Sequence, residues 1–318
     1  MGSKPSKISA SRGAAILGLS DFRTPVDVWL SICEERAPGF RERRGFPPEE
    51  PVDNAAVRWG TAAERAIIEL AAPPNPILSD VIQNREAFFV HPEYDFITCH
   101  LDGIYQAPRM IHEGKTTSMY SYRDKWGESG TAKVPREYQV QVQHQMLCSG
   151  IQAAIVSVLI WPGRPDDFDE AGAECDEQTV MKWAPVLSEM GFFKQYKIEG
   201  DPALQAIMIE HYREFWEKNV LTETPPEPKT YDDIRLLCPE PKGTIIADEG
   251  EIMLSAEYQA ITDEMSLATK RKAQIKTQLL KGMRSRAEAP IDDESTEKWV
   301  LRDRTGKKLN SFDGKVFR

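Results

Sequence analysis

Asp102-Gly103 and, with ten residues between Asp102 and Glu113, the triplet Glu113-Gly114-Lys115 set the tightest limit on how this chain folds. Side chains alternate faces along a β-strand, so Glu113 and Lys115 point the same way while Gly114 offers only backbone. A neighbouring strand carrying Asp102 brings its carboxylate within about 5 Å, the usual inter-strand spacing. Two hard carboxylates and the Gly114 carbonyl then suit a Mg2+ ion. An ammonium beside that ion can position or deprotonate a water and stabilise charge developing on a phosphate. The same pattern also arises by chance in acidic chains, where it is solvated strand charge. The surrounding segments decide between the two.

With 318 residues of which 41% are hydrophobic, the chain can bury one large core or two modest ones. No apolar run reaches the roughly 18 residues of a membrane span, so no membrane partner is expected. Met1-Gly2-Ser3-Lys4-Pro5 has no apolar signal region and reads as a flexible leader, so a cytoplasmic location is expected. Cys33, Cys99, Cys148, Cys175 and Cys238 are scattered, with no CxxC pair. That spacing argues against zinc, a disulfide framework or a four-cysteine iron–sulfur cluster, and leaves reduced, mostly buried thiols. A net charge of −10 argues against a nucleic-acid partner on average. Basic residues nevertheless cluster at 36–44, 123–133 and 270–286, whereas 166–177 is acidic. Each cluster reads equally well as a solvated face.

Ser9 or Ser11 is placed to cap a first helix that stops near Gly18. A second starts at Thr24-Pro25 and buries Val28, Trp29 and Ile32. Residues 37–54, rich in Pro, Gly and charge, read as a mobile or disordered loop. An alanine-rich helix over 53–72 puts Glu64 beside its core-facing stripe, where a carboxylate needs a partner: an Arg at the core edge or a metal site. Phe88–Val90, Asp95–Cys99, Gly103–Gln106 and Met110–Thr116 read as successive strands of one sheet. On the helix from Pro135 to Ser149, Tyr138, Gln141 and Gln145 form a polar stripe that needs hydrogen-bond partners or solvent. His144 on the same helix reads as a satisfied structural residue. The β-branched run Ala154–Trp161 suits a central strand covered on both faces. A helix over 204–220 closes the core and 222–229 is an extended linker. Beyond it, Leu254, Tyr258, Ile261, Met265, Ala268, Lys272, Ile275 and Leu279 form a heptad stripe on one long helix. That helix could pack on the core, pair with another subunit or contact DNA. Trp299–Arg302 and Lys307–Phe312 read as a tail hairpin.

Several segments fall in a fixed order: Ile8-Ser9-Ala10-Ser11, Ala15–Ser20, Trp59-Gly60 with Glu64, Asp102-Gly103, Glu113-Gly114-Lys115, and Tyr138 with Gln141. In that order they resemble the phage lambda exonuclease and YqaJ-type viral recombinase nucleases, a branch of the PD-(D/E)xK superfamily, over about residues 8–220. The resemblance implies an α/β, restriction-endonuclease-like core with a mixed central sheet flanked by helices. Residues 1–220 would form that core, and 221–318 a linker, the heptad helix and the hairpin. It implies a Mg2+-dependent, processive 5′-to-3′ exonuclease on double-stranded DNA ends, with two ions per site and Mn2+ able to substitute. The product would be a 3′ single-stranded tail, the assembly a homotrimeric ring, and the partner a phage single-strand annealing protein. Asp102, Glu113 and the Gly114 carbonyl would bind metal, Glu64 would support a second ion, Lys115 would activate water, and Gln141 and Tyr138 would position lysine or phosphate. Ser11 matches a position contacting the terminal 5′-phosphate, and Lys4 falls where the family places a phosphate-binding arginine. His100 departs from the serine common just before the D-G turn. A restriction-like or structure-specific endonuclease, or a non-catalytic DNA-binding module, remains open on the residues alone.

Overall fold

The chain enters on a short strand, β1 (Ile8–Ser9), and turns at once into α1 (Ala10–Ile16), with Ser9 at the N-cap and Gly18 in the left-handed region just beyond it. The computed structural model describes residues 7–49, 55–71, 81–82, 87–163, 176–238, 246–284, 298–302 and 308–313. Among them, no helix is long and apolar enough to cross a membrane. Helix α2 (Pro25–Arg36) begins where Thr24 and Asp27 cap each other's backbone N–H groups and Pro25 needs no hydrogen bond. It buries Val28, Trp29, Leu30 and Ile32.

The segment expected to be mobile after α2 is ordered through residue 49. Its short helix α3 (Phe40–Arg43) exists because Phe40 and Phe46 both pack edge-on against Trp29, at 5.5 and 5.9 Å between ring centroids. The Glu34 carboxylate fixes the turn by accepting from Gly39 N–H (2.7 Å) and Arg41 N–H (2.8 Å), and these bonds hold its carboxyl below the usual range. Composition signalled Pro, Gly and charge; two aromatic anchors outweighed it. Residues 50–54 lie outside the described residues.

Helix α4 (Ala55–Ala71) precedes β2 (Val81–Ile82), β3 (Phe88–Val90), β4 (Ile97–His100), β5 (Gly103–Gln106) and β6 (Arg109–Ser118). Then come α5 (Met119–Lys125), α6 (Arg136–Ser149), β7 (Ala153–Trp161), α7 (Glu177–Glu189), β8 (Phe193–Glu199) and α8 (Pro202–Phe215), which widens into a π turn at Trp216–Val220. Strands β1 to β8 form two sheets, so the four strands between Phe88 and Thr116 do not share the single sheet expected. β1, β4 and β3 make a three-stranded one, while the main sheet runs β2-β5-β6-β7-β8. The break falls at Leu101-Asp102. There the Asp102 carboxylate accepts the Gly114 N–H (2.8 Å), so a side chain takes up a donor on β6 just past the Gly103–His112 pair where the β5–β6 ladder ends.

β6 and β7 run parallel at the centre, and β7 is covered on both sides as its unbroken apolar run suggests. Val156, Val158 and Ile160 join the larger core with α1, α2, α6 and α8. Leu159 points the other way into a second cluster with Trp59, Ala63 and Ile67 of α4 and Val180, Ala184 and Leu187 of α7. The sheet is thus mixed and flanked by helices, the architecture the resemblance implied.

The chain divides into two compact units, Met1–Pro241 and Lys242–Arg318. The boundary expected at 220 falls inside the first, because α9 (Tyr231–Leu237) is tied to α2: Asp233 accepts from the Thr24 hydroxyl at 2.6 Å. The second unit holds one long helix, α10 (Glu249–Arg284), and the antiparallel strands β9 (Lys298–Arg302) and β10 (Lys308–Asp313).

α1 crosses α6 and α8 at Gly13, where an added Cβ would overlap the hydroxyl of fully buried Tyr212 and sit 3.3 Å from Val140. Helix propensity alone would make alanine better than glycine there by roughly 1 kcal/mol. We expect Gly13→Ala to destabilise instead, by about 1–3 kcal/mol, because overpacking outweighs propensity. Urea denaturation reads the sign directly.

Candidate active site

Glu113 is 1% exposed, yet both its oxygens are occupied. Oε1 accepts from Lys115 Nζ and from Gln141 Nε2, each at 2.5 Å, and Oε2 accepts from Gln145 Nε2 at 2.5 Å. Three donors from β6 and α6 therefore offset a desolvation cost of several kcal/mol for one buried charge. The Lys115 ammonium also stands 5.0 Å from the centre of the Tyr138 ring, a cation–π arrangement. Tyr138 is in turn packed on Trp126 (5.6 Å), which meets Tyr196 and Tyr122 at 5.1 and 6.3 Å. The lysine is positioned by an aromatic stack as well as by a carboxylate.

Asp102 sits one residue before β5, where the Gly103–His112 register places it opposite Glu113 at the end of the ladder. On the face of β6 toward which a Gly114 side chain would project, α4 packs so closely that a Cβ there would lie 3.2 Å from Ile67 Cγ2. Glu64, one turn before Ile67 on α4, is half-buried and adds its negative field at Asp102. The bare backbone at 114 thus lets α4 bring a third carboxylate toward the pair from the other side of the sheet.

The electrostatics follow from burial. Desolvation, then the neighbouring Glu113, pushes the Asp102 carboxyl up to about 7, against the opposing pull of Lys115 and the Gly114 N–H. Desolvation alone would lower Lys115, but Glu113 and Asp102 outweigh it and hold the amine above its ordinary value, firmly cationic. Tyr138 is raised by burial and keeps its proton.

Among the described residues no group of three or more His, Cys, Asp or Glu side chains gathers tightly enough to hold a metal. The pair is nonetheless suited to one. A carboxylate accepts about four hydrogen bonds, and Glu113 uses three. Asp102 commits Oδ2 to Gly114 and leaves Oδ1. Gln145 Oε1 is buried without a hydrogen-bond partner beside them. Mg2+ takes one or two carboxylates and keeps several waters, so two carboxylates and a carbonyl suffice.

The structure therefore brings together Asp102, Glu113, Gly114, Lys115, Tyr138 and Gln141, with Glu64 near Asp102. It does not join Ser11 to them among the described contacts: Ser11 is exposed and bonded to the Ser9 hydroxyl at 3.2 Å. His100 turns its ring onto Phe88 (5.0 Å) and offers its carbonyl to Gln145 at 3.4 Å. Lys4 lies outside the described residues. His144 is a satisfied core residue, with Thr98 O at 3.0 Å and the Tyr212 hydroxyl at 3.3 Å. Gln145 is the site residue not singled out from sequence. Its signal was its place four residues after Gln141 on the same stripe.

Fold and site define a class: a mixed α/β protein whose central strand β6 carries Glu113 and Lys115 beside Asp102 at the edge of β5. A model of the YqaJ-like viral recombinase domain matches residues 2–152 of this chain. The chain is 29% identical over 140 residues to the uncharacterized protein YqaJ of Bacillus subtilis (strain 168), covering 44% of this chain and 38% of that protein. The chain thus spans well under half the length of this relative. It also resembles solved structures of the alkaline exonuclease LHK-Exo of Laribacter hongkongensis (TM-score 0.40, 18% identity, 69% of this chain and 90% of that one). A phage-related exonuclease of Haemophilus somnus 129PT is similar too (TM-score 0.40, 14% identity, 68% and 96%).

Because Asp102 titrates near 7 when folded and at an ordinary carboxylate value when unfolded, the folded chain binds the extra proton between those values. Its contribution to stability is then present at low pH and lost as pH rises toward 7. We expect the metal-free melting temperature of the wild type to fall more between pH 5 and pH 8 than that of Asp102→Asn. Scanning fluorimetry across that range would show parallel curves if Asp102 carried no such shift.

Proposed function

We propose that this chain is a Mg2+-dependent exonuclease that degrades linear double-stranded DNA from its 5′ ends, leaving a 3′ single-stranded tail for recombination by strand annealing. The observation that carries the reading is the convergence of Asp102, Glu113 and Lys115 in one buried site, within the segment matching the viral recombinase domain.

Asp102, Glu113 and the Gly114 carbonyl would hold the ion, with Glu64 toward a second ion or its waters; Mn2+ would substitute. When bound, Mg2+ supplies a polarised water and a counter-charge for the phosphate. The chain's own groups do the rest. Gln141 and Gln145 fix both oxygens of Glu113, so the carboxylate cannot rotate as substrate enters. Lys115, kept cationic, donates to the attacking water or to the phosphate oxygens and stabilises charge as it builds up. Tyr138 limits where that ammonium can go. Ser11 in the first turn of α1, with backbone N–H groups beside it, would take the terminal 5′-phosphate by the family resemblance.

Three copies closing a ring would let a chain of charge −10 stay on DNA despite weak phosphate contacts, since enclosure replaces electrostatic grip. A phage single-strand annealing protein would receive the tail.

Three measurements test this reading. Lys115→Ala should lower turnover on an end-labelled linear duplex by at least 100-fold while Mg2+ still raises the melting temperature; near-wild-type turnover would reject the assignment of Lys115. A covalently closed circle should survive enzyme that consumes the same duplex linearised, and cutting of the circle would make the chain an endonuclease. Removing the 5′-phosphate should slow initiation several-fold more than removing a 3′-phosphate, and equal rates would reject the 5′-end polarity.

A further inference from the structure

Helix α10 combines two features that nothing in the nuclease chemistry uses. Its heptad stripe faces solvent through residue 275: Leu254, Tyr258, Ile261 and Met265 are 66%, 74%, 50% and 66% exposed, and Ile275 is 41% exposed, while Leu279 is half-buried. A 36-residue helix, about 54 Å long at 1.5 Å per residue, with a 4-3 stripe of apolar side chains interrupted by Lys272 is the pattern of one half of a coiled coil.

Its charges are sorted by sign. Residues 249–266 carry Glu249, Glu251, Glu257, Asp263 and Glu264 with no Lys or Arg. Residues 267–284 carry Lys270, Arg271, Lys272, Lys276, Lys281 and Arg284 with no Asp or Glu. Acidic residues at the start and basic ones at the end suit the helix macrodipole, but that effect fades within the terminal turns. It gives no reason for Asp263 and Glu264 to stand only six to eight residues from Lys270 and Arg271 at the middle of the helix.

We infer that α10 pairs antiparallel with α10 of a second copy of this chain, acidic half against basic half. With a and d positions assigned along the stripe, one antiparallel register sets Leu254 against Leu279, Tyr258 against Ile275, Met265 against Ala268 and Ile261 against the aliphatic stem of Lys272, twice over by symmetry. The same register puts Glu264 beside Arg271 of the second copy, at flanking positions where coiled coils place their interhelical ion pairs. Parallel pairing instead sets Arg271 beside Lys276 and stacks like-charged halves along their whole length. A duplex-binding role for the helix would need a basic face, and half of this helix is acidic. In a closed assembly with dihedral symmetry, loss of this two-fold contact halves the mass.

The full-length chain tests this by light scattering coupled to size exclusion in 0.15 M salt. One variant carries Glu257→Lys, Asp263→Lys and Glu264→Lys; the other carries Lys270→Glu, Arg271→Glu and Lys276→Glu. Each alone should run at half the wild-type mass, because each sets like charges together in the antiparallel register. An equimolar mixture should recover the wild-type mass, which a variant whose helix had merely unfolded could not do. Wild-type mass in either variant alone overturns the pairing, and so does failure of the mixture to recover it. Unchanged mass with weakened duplex binding would assign the basic half to DNA instead.

Discussion

Everything at the centre of the first unit answers to one electrostatic problem, the nearly complete burial of the Glu113 carboxylate. An ion in that position is tolerated only if its lone pairs are filled. The sequence fills them from two directions. Lys115 comes from the same strand two residues on, where the pleat returns to the same face, and Gln141 and Gln145 come from successive turns of α6. α6 is therefore fixed against β6 by charge-assisted bonds as well as by Val140, Val142 and Met146 in the core. Loss of either amide would leave part of a buried charge without a partner, which costs more than the bond itself contributes.

The second consequence concerns Asp102. It is held by one backbone N–H and no side-chain donor of its own in the described contacts, so it carries the unresolved part of the electrostatic tension. Burial raises it, and its neighbours Glu113 and Glu64 raise it further. The site thus contains one carboxylate already satisfied and one still in search of positive charge. That asymmetry suits a divalent ion better than two equally compensated acids would.

Much of this was legible in the residues, because local patterns specify it. Strand alternation put Glu113 and Lys115 on one face, and the i, i+3, i+7 stripe on α6 announced polar partners for something buried. The β-branched run at 154–161 announced the central strand, and Thr24-Pro25 the start of α2. What escaped depends on contacts remote in sequence. The split into two sheets hinges on one carboxylate intercepting the Gly114 N–H across the turn, which no propensity encodes. The order of residues 37–49 comes from Phe40 and Phe46 finding Trp29. The first unit runs past 220 because Asp233 meets Thr24 from 209 residues away. Gln145 was visible as part of a stripe, but only the fold shows that Glu113 has a second oxygen within its reach.

Gly114 gives the two faces of β6 different physical characters. Toward α6 the strand presents charges met by amides and an ammonium, a contact that pH and ionic surroundings can alter. Toward α4 it presents bare backbone met by Ile67, a contact of dispersion and shape alone. Pressure destabilises by eliminating internal voids on unfolding, and a contact as close as Ile67 on Gly114 leaves little void there. The α4 face should therefore stay seated while a change of pH works on the α6 face, so the two sides of one strand can be perturbed separately in the unmodified protein.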